Sequence, residues 1–147
     1  MGFFDALSAL KQLLATDPAL SSFVADNFPR PLSVKLAYKN REELNVGDLP
    51  AIIITRPRVS KQINTNGVLD SDNTVMLYLV FHQDNHEKGQ ELLIAFDELL
   101  DDAISANPTL NGTATDAIPM ESVNDEGKFH PTYCIVSELK IRHRRSA

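Results

Sequence analysis

The sequence predicts an α+β fold: a mainly antiparallel sheet with helices packed on one face and a projecting hairpin arm. Three observations carry this. The elements read α-α-β-β-(β)-β-α-β-β along the chain, an order of the α+β class. The run 74–82 (TVMLYLVFH) is apolar on both alternating faces, so it is a strand that needs cover on each side. Asn66-Gly67 sits between two extended runs, the short-range signature of a hairpin.

The elements follow in order. Phe3, Phe4, Leu7, Leu10, Leu13 and Leu14 recur at helical spacing over residues 3–15 and give one apolar face. Asp17-Pro18 reads as an N-cap followed by proline at the first helical position. Ala19, Leu20, Phe23 and Val24 would form the buried side of this second helix, which ends near Asn27 before Pro29 and Pro31. Residues 33–39 alternate as a half-buried strand, and Ala51–Thr55 is a β-branched buried strand. Residues 56–72 are mostly polar and form the arm, with Val59 to Thr65 and Val68 onward as its two sides.

After the 74–82 strand comes the longest helix. Leu92, Leu93, Phe96, Leu99, Leu100, Ala103 and Ile104 mark its inner face, and acids occupy the rest. Asn107-Pro108 stops it, and Asn111-Gly112 is a turn. Residues 113–121 form a weak strand, placed at an edge by Pro119. The last strand, 132–143, puts Tyr133, Ile135, Ser137, Leu139 and Ile141 on one face and Cys134, Val136, Glu138, Lys140 and Arg142 on the other.

A chain of 147 residues argues for one domain, 1–147, with a real core. A chain of this size buries about 68–70% of its unfolded surface. No apolar run is long enough for a membrane helix. The N-terminus lacks a basic leader region and is broken by Asp5 and Lys11, so a non-secreted protein is expected. A lone cysteine, Cys134, excludes an internal disulfide and a cysteine-cluster zinc site.

Charge is separated along the chain. Residues 84–102 hold seven acids against Lys88, a local charge of −6. Lys140, Arg142, Arg144 and Arg145 give the last eight residues +4. Such halves are self-complementary within one subunit or between copies; a solvated helix face and a frayed tail are the plainer explanation. The acids include the like-charge i, i+4 pairs Asp97/Asp101 and Glu98/Asp102.

No catalytic constellation stands out, so the chain is not expected to be an enzyme. His82, Asp84 and His86 are close in sequence but have no further metal ligands beside them. Cys134 lies mid-strand as a small hydrophobe, not a nucleophile. Ser21 and Ser22 lack a nucleophile elbow, and no glycine-rich phosphate loop occurs. The acidic balance argues against sequence-reading nucleic-acid binding. No cofactor and no metal are expected.

Four stretches carry a resemblance. The N-terminal helix leads to a Pro-rich exit at Phe28-Pro29. Leu49-Pro50-Ala51-Ile52-Ile53-Ile54 is followed by the basic stretch Arg56 to Lys61. His82-Gln83-Asp84 leads into an acidic helix over 86–105. Asn107-Pro108-Thr109-Leu110-Asn111-Gly112 precedes two strands and the basic end Lys140 to Arg145. In this pattern, over almost the whole chain, it resembles the tail terminator (tail completion) proteins of long-tailed bacteriophages. The resemblance implies a structural virion protein that forms a hexameric ring on the tail tube. That ring ends tube polymerisation and offers a joining surface to the neck or connector, while DNA passes through the lumen without recognition. It also implies a place at the head-proximal end of the tail, no catalysis and no cofactor. A neck or head–tail joining protein is the near alternative; a monomeric ligand-binding or regulatory domain is the alternative of another class. The residues expected at subunit or partner contacts are Asp97, Asp101, Arg142, Arg144 and Arg145, with Arg56, Arg58 and Lys61 on the arm.

Overall fold

The computed structural model describes residues 2–36, 46–64 and 67–146. Two helices open it, α1 (Phe3–Thr16) and α2 (Pro18–Asn27), followed by β1 (Ser33–Lys35). After the 3-10 turn Val46–Asp48 come β2 (Ala51–Ile63) and β3 (Val68–His82). The chain ends with α3 (His86–Ser105), β4 (Asp116–Asn124) and β5 (Thr132–Ser146). The strands form one sheet in the order β1-β2-β3-β5-β4. Among the described residues only the β1–β2 pair is parallel, so the expected α+β class holds.

The helices begin where local chemistry puts them. Asp17 Oδ2 accepts from the Leu20 N–H at 3.0 Å and Pro18 takes the first helical position, so α2 starts there and ends at Asn27. Asn85 caps α3 through the Lys88 N–H at 2.9 Å. Leu20 and Val24 bury the inner face of α2 and Phe23 is half-buried; Ala19, expected inside, faces solvent. Phe4 is likewise 68% exposed, because α1 turns Ala6, Leu10 and Leu14 to the core.

The main core lies between the helices and one face of the sheet. There Ile52, Ile54, Leu77, Leu79, Phe81, Tyr133 and Ile135 meet Leu10, Leu93, Phe96 and Leu100. Gly89 of α3 sits against the Tyr133 ring, where a Cβ would drive into the aromatic carbons. The other sheet face has a small cluster of Leu49, Ala51, Val80 and Cys134, with no helix residue in it. Across it runs an apolar row set by register: Ile53 beside Tyr78, Tyr78 beside Val136, Val136 beside Val123.

Several boundaries differ from expectation. The first strand stops at Lys35, and residues 37–39 of the expected run lie outside the described residues, as does Asn66 of the turn. The hairpin of the arm forms where expected, Val59–Ile63 pairing with Leu69–Asn73, but β5 adds a third strand to it, so the arm is the far end of the sheet. β2 continues through Pro57 with a register break between Thr55 and Arg58, and β3 begins at Val68. The tail does not fray: β5 pairs with β3 from His82↔Thr132 to Val68↔Ser146. β4 starts three residues late because 107–115 are turns, with positive φ at Leu110, Asn111 and Gly112. It is an edge strand as expected, broken in register between Pro119 and Ser122.

Candidate interaction surface on the arm and helix α3

The far ends of β2, β3 and β5 make a three-stranded arm whose two faces differ in charge. Strand alternation assigns each residue to a face. On the face away from the helices, Asp70 lies opposite Arg144 and Asp72 opposite Arg142. Arg144 donates to Asp70 through Nε at 2.7 Å and Nη2 at 3.3 Å, a fork-to-carboxylate pair. Hydrogen bonding and the charge of Arg144 hold the Asp70 carboxyl below the usual range, and the same hydrogen bond raises Arg144. Arg142 lies 3.6 Å from Asp72 and 3.7 Å from Asp116 of β4. Arg58 shares this face in the row Arg58–Thr74–Lys140–Ile118. This face frames a polar hollow of about 320 Å³.

The helix-side face of the arm is basic. Arg56, Lys61 and Arg145 line a hollow of about 220 Å³ with Phe3, Val59 and Leu69. Arg56 is held in place: its Nη1 donates to Asn73 Oδ1 at 3.2 Å and its guanidinium lies 4.9 Å from the Phe3 ring centroid. Asn73, fully buried, also donates to Ser71 Oγ at 2.9 Å and to the Ile141 carbonyl at 3.1 Å. His143, nearly buried, meets Phe3 edge-on at 5.7 Å. Among the described residues no carboxylate pairs with Arg56, Lys61 or Arg145.

The acids of α3 fall into two groups. Asp97 leans to the β4 edge, where its Oδ1 accepts from the Ser122 hydroxyl at 2.9 Å. Asp101, one turn on, is half-buried, and its carboxyl is raised, first by burial and then by Asp97, Asp102 and Glu98. Glu87, Glu91, Glu98 and Asp102 form the outer stripe, and Ile94 stands among them 57% exposed.

The structure therefore brings Arg56, Lys61 and Arg145 together and puts Arg58, Arg142 and Arg144 on the opposite face. It leaves Asp97 and Asp101 on α3, over β4 and β5. The carboxylates that meet the basic tail inside the chain are Asp70, Asp72 and Asp116 of β3 and β4. Sequence reasoning missed them, because only strand register brings residues 70 and 144 together. It also missed Ile94, an apolar residue at an outward helical position, which the period of α3 marks.

The trio His82, Asp84 and His86 is split. His82 Nε2 lies 3.2 Å from Asp84, whereas His86 stacks on His130 at 3.7 Å. Both His86 and His130 reach the Tyr133 hydroxyl through Nδ1, at 3.2 and 2.7 Å. Burial, then the charge of Asp125, raises the Tyr133 phenol. Cys134 is buried mid-strand. Among the described residues no three or more His, Cys, Asp or Glu side chains gather as a metal-binding group, and no helix is long and apolar enough to cross a membrane.

No protein-family model matches the chain, and no curated protein matches its sequence. Among solved structures the chain is similar in fold to a chain of the "Virion of native gene transfer agent (GTA) particle". The TM-score is 0.65 at 13% sequence identity, over 94% of this chain and 93% of that one, a likeness of fold.

Proposed function

We propose that the chain is a structural, non-catalytic virion protein: a tail terminator that caps a phage tail tube as a hexameric ring. The ring ends tube polymerisation, presents the joining surface for the neck or connector, and lets DNA pass without specific recognition. Its place is the head-proximal end of the tail. The observation that carries this reading is the fold likeness, nearly end to end, to a chain of a gene transfer agent virion. A fold alone hosts many functions, so the surface has to agree. It does: the acidic outer stripe of α3 and the basic hollow of the arm are different patches, as a head-to-tail ring contact requires. The net charge of −6 suits a ring that does not hold passing phosphates.

The test is mass by light scattering of the purified chain, alone and with isolated tail tubes. A mass near that of a hexamer, or a ring that appears only on tubes, is expected. Glu98→Lys, at an exposed position of the outer stripe, should weaken that ring and leave the circular dichroism spectrum unchanged. A strict monomer that ignores tubes would overturn the reading. Binding to isolated connectors but not to tubes would move it to a neck role.

A further inference from the structure

Resting on the ring reading above, we infer that the basic hollow of the arm receives the outer stripe of α3 from a second copy, with Ile94 inserted and Glu91 and Glu98 facing Arg56, Lys61 and Arg145.

The hollow selects its occupant by size and lining. Ligand pockets usually hold about 300–1,000 Å³. This one, at about 220 Å³, suits one or two side chains better than a small-molecule ligand. Its apolar part is Phe3, Val59 and Leu69, and its polar part is Ser71, His143 and three cations, Arg56, Lys61 and Arg145, that no carboxylate among the described residues pairs with. It therefore calls for an apolar tip flanked by acids. Residues 91, 94 and 98 of α3 supply that pattern: three and four residues apart, they stand on one helical face with Ile94 between the two glutamates. Ile94 is 57% exposed, so it contributes little to its own core and has apolar surface to bury elsewhere.

The occupant must come from another copy. The floor of the hollow is the helix-side face of the sheet, and α3 packs on that same face through Leu92, Leu93, Phe96 and Leu100. Its outer stripe points away from the sheet and cannot reach the hollow of its own chain. A two-fold contact of hollow on hollow would set three cations against three, and stripe on stripe would set acids against acids. The favourable contact is hollow on stripe; made once between two copies, as the ring reading requires, it is head-to-tail and leaves one of each exposed for the next copy.

The test uses two full-length variants at exposed positions, Lys61→Glu in the hollow and Ile94→Arg on the stripe, with wild type as reference. Sedimentation is read with and without tail tubes, and circular dichroism checks each fold. Each variant alone should associate at least tenfold more weakly than wild type. Mixed, they should form a dimer that does not grow, because the intact stripe of one fits the intact hollow of the other. Glu98→Lys, mixed with Lys61→Glu, repeats the test should Ile94→Arg fail to fold. Rings from either variant alone, as stable as wild type, would overturn the contact and leave the ring standing. Impaired variants whose mixture stays monomeric would also overturn it. Wild-type chains that never associate, with or without tubes, would overturn the ring reading and this contact together.

Discussion

Asn73 is a polar side chain at a position whose strand neighbours on the same face, Val75 and Leu77, are core residues. Nothing in the alternation of the sequence marks it as special, since a polar residue in a polar arm looks ordinary. In the fold it is fully buried, and its amide ties three strands: β2 through Arg56, β3 through Ser71 and β5 through the Ile141 carbonyl. Truncation would leave a buried carbonyl short of a donor and release Arg56. A buried group left unsatisfied costs about 1–3 kcal/mol. Asn73→Ala should therefore lower unfolding free energy by about that amount, read as a lower urea midpoint at unchanged slope. A loss under about 0.5 kcal/mol, the range of ordinary surface changes, would contradict the role given to the amide.

At the scale of elements, the helices were the legible part. Apolar spacing, the Asp17-Pro18 start and the Asn107-Pro108 stop lie within a few residues of what they control, so α2 and α3 were readable to within a residue or so. The hairpin of the arm was readable too, from Asn-Gly between two extended runs, but its third strand was not, because β5 joins there by pairing with β3 and pairing leaves no local pattern. The partners of Arg142 and Arg144 were hidden for the same reason. The acids of α3 were plain in the sequence, but their two directions were not: Asp97 and Asp101 toward β4, Glu91 and Glu98 outward. Asp101 sits where burial and three neighbouring carboxylates raise its carboxyl. A carboxyl whose folded value is raised binds its proton more readily folded than unfolded. It therefore destabilises the fold when ionised, and the penalty fades as pH falls from the raised value to the ordinary aspartate range. Asp101→Asn should accordingly melt higher than wild type at pH 7, by about 1–2 °C if the relief is a few tenths of a kcal/mol. The gap should close as pH is lowered through that window. A gap that widens on acidification would show that the side chain is stabilised as a carboxylate, contrary to its surroundings.

On the scale of the whole molecule, the chain keeps two kinds of unsatisfied surface apart. One is charged: the arm hollow and the α3 stripe. The other is apolar: Val123, 64% exposed, beside half-buried Val136 on the sheet face opposite α1, α2 and α3. The apolar character of that second face was readable in the doubly apolar run 74–82, whereas the charge complementarity required the strands to sort the basic residues onto two faces. The two surfaces respond oppositely to salt. Screening shortens the reach of charges from about 10 Å at 0.1 M to about 3 Å at 1 M salt, while apolar contacts are not screened. Self-association through the charged patches should weaken at least tenfold between about 0.05 and 0.5 M NaCl. The melting temperature of the separated chain should move little over the same range, because its ion pairs are exposed and such pairs contribute about 0–1 kcal/mol each. Sedimentation across a salt series, with melting curves on the same samples, reads both quantities. Association that strengthens with salt would assign the contact to the apolar row instead, because salting-out favours burial of apolar surface and does nothing for screened charges.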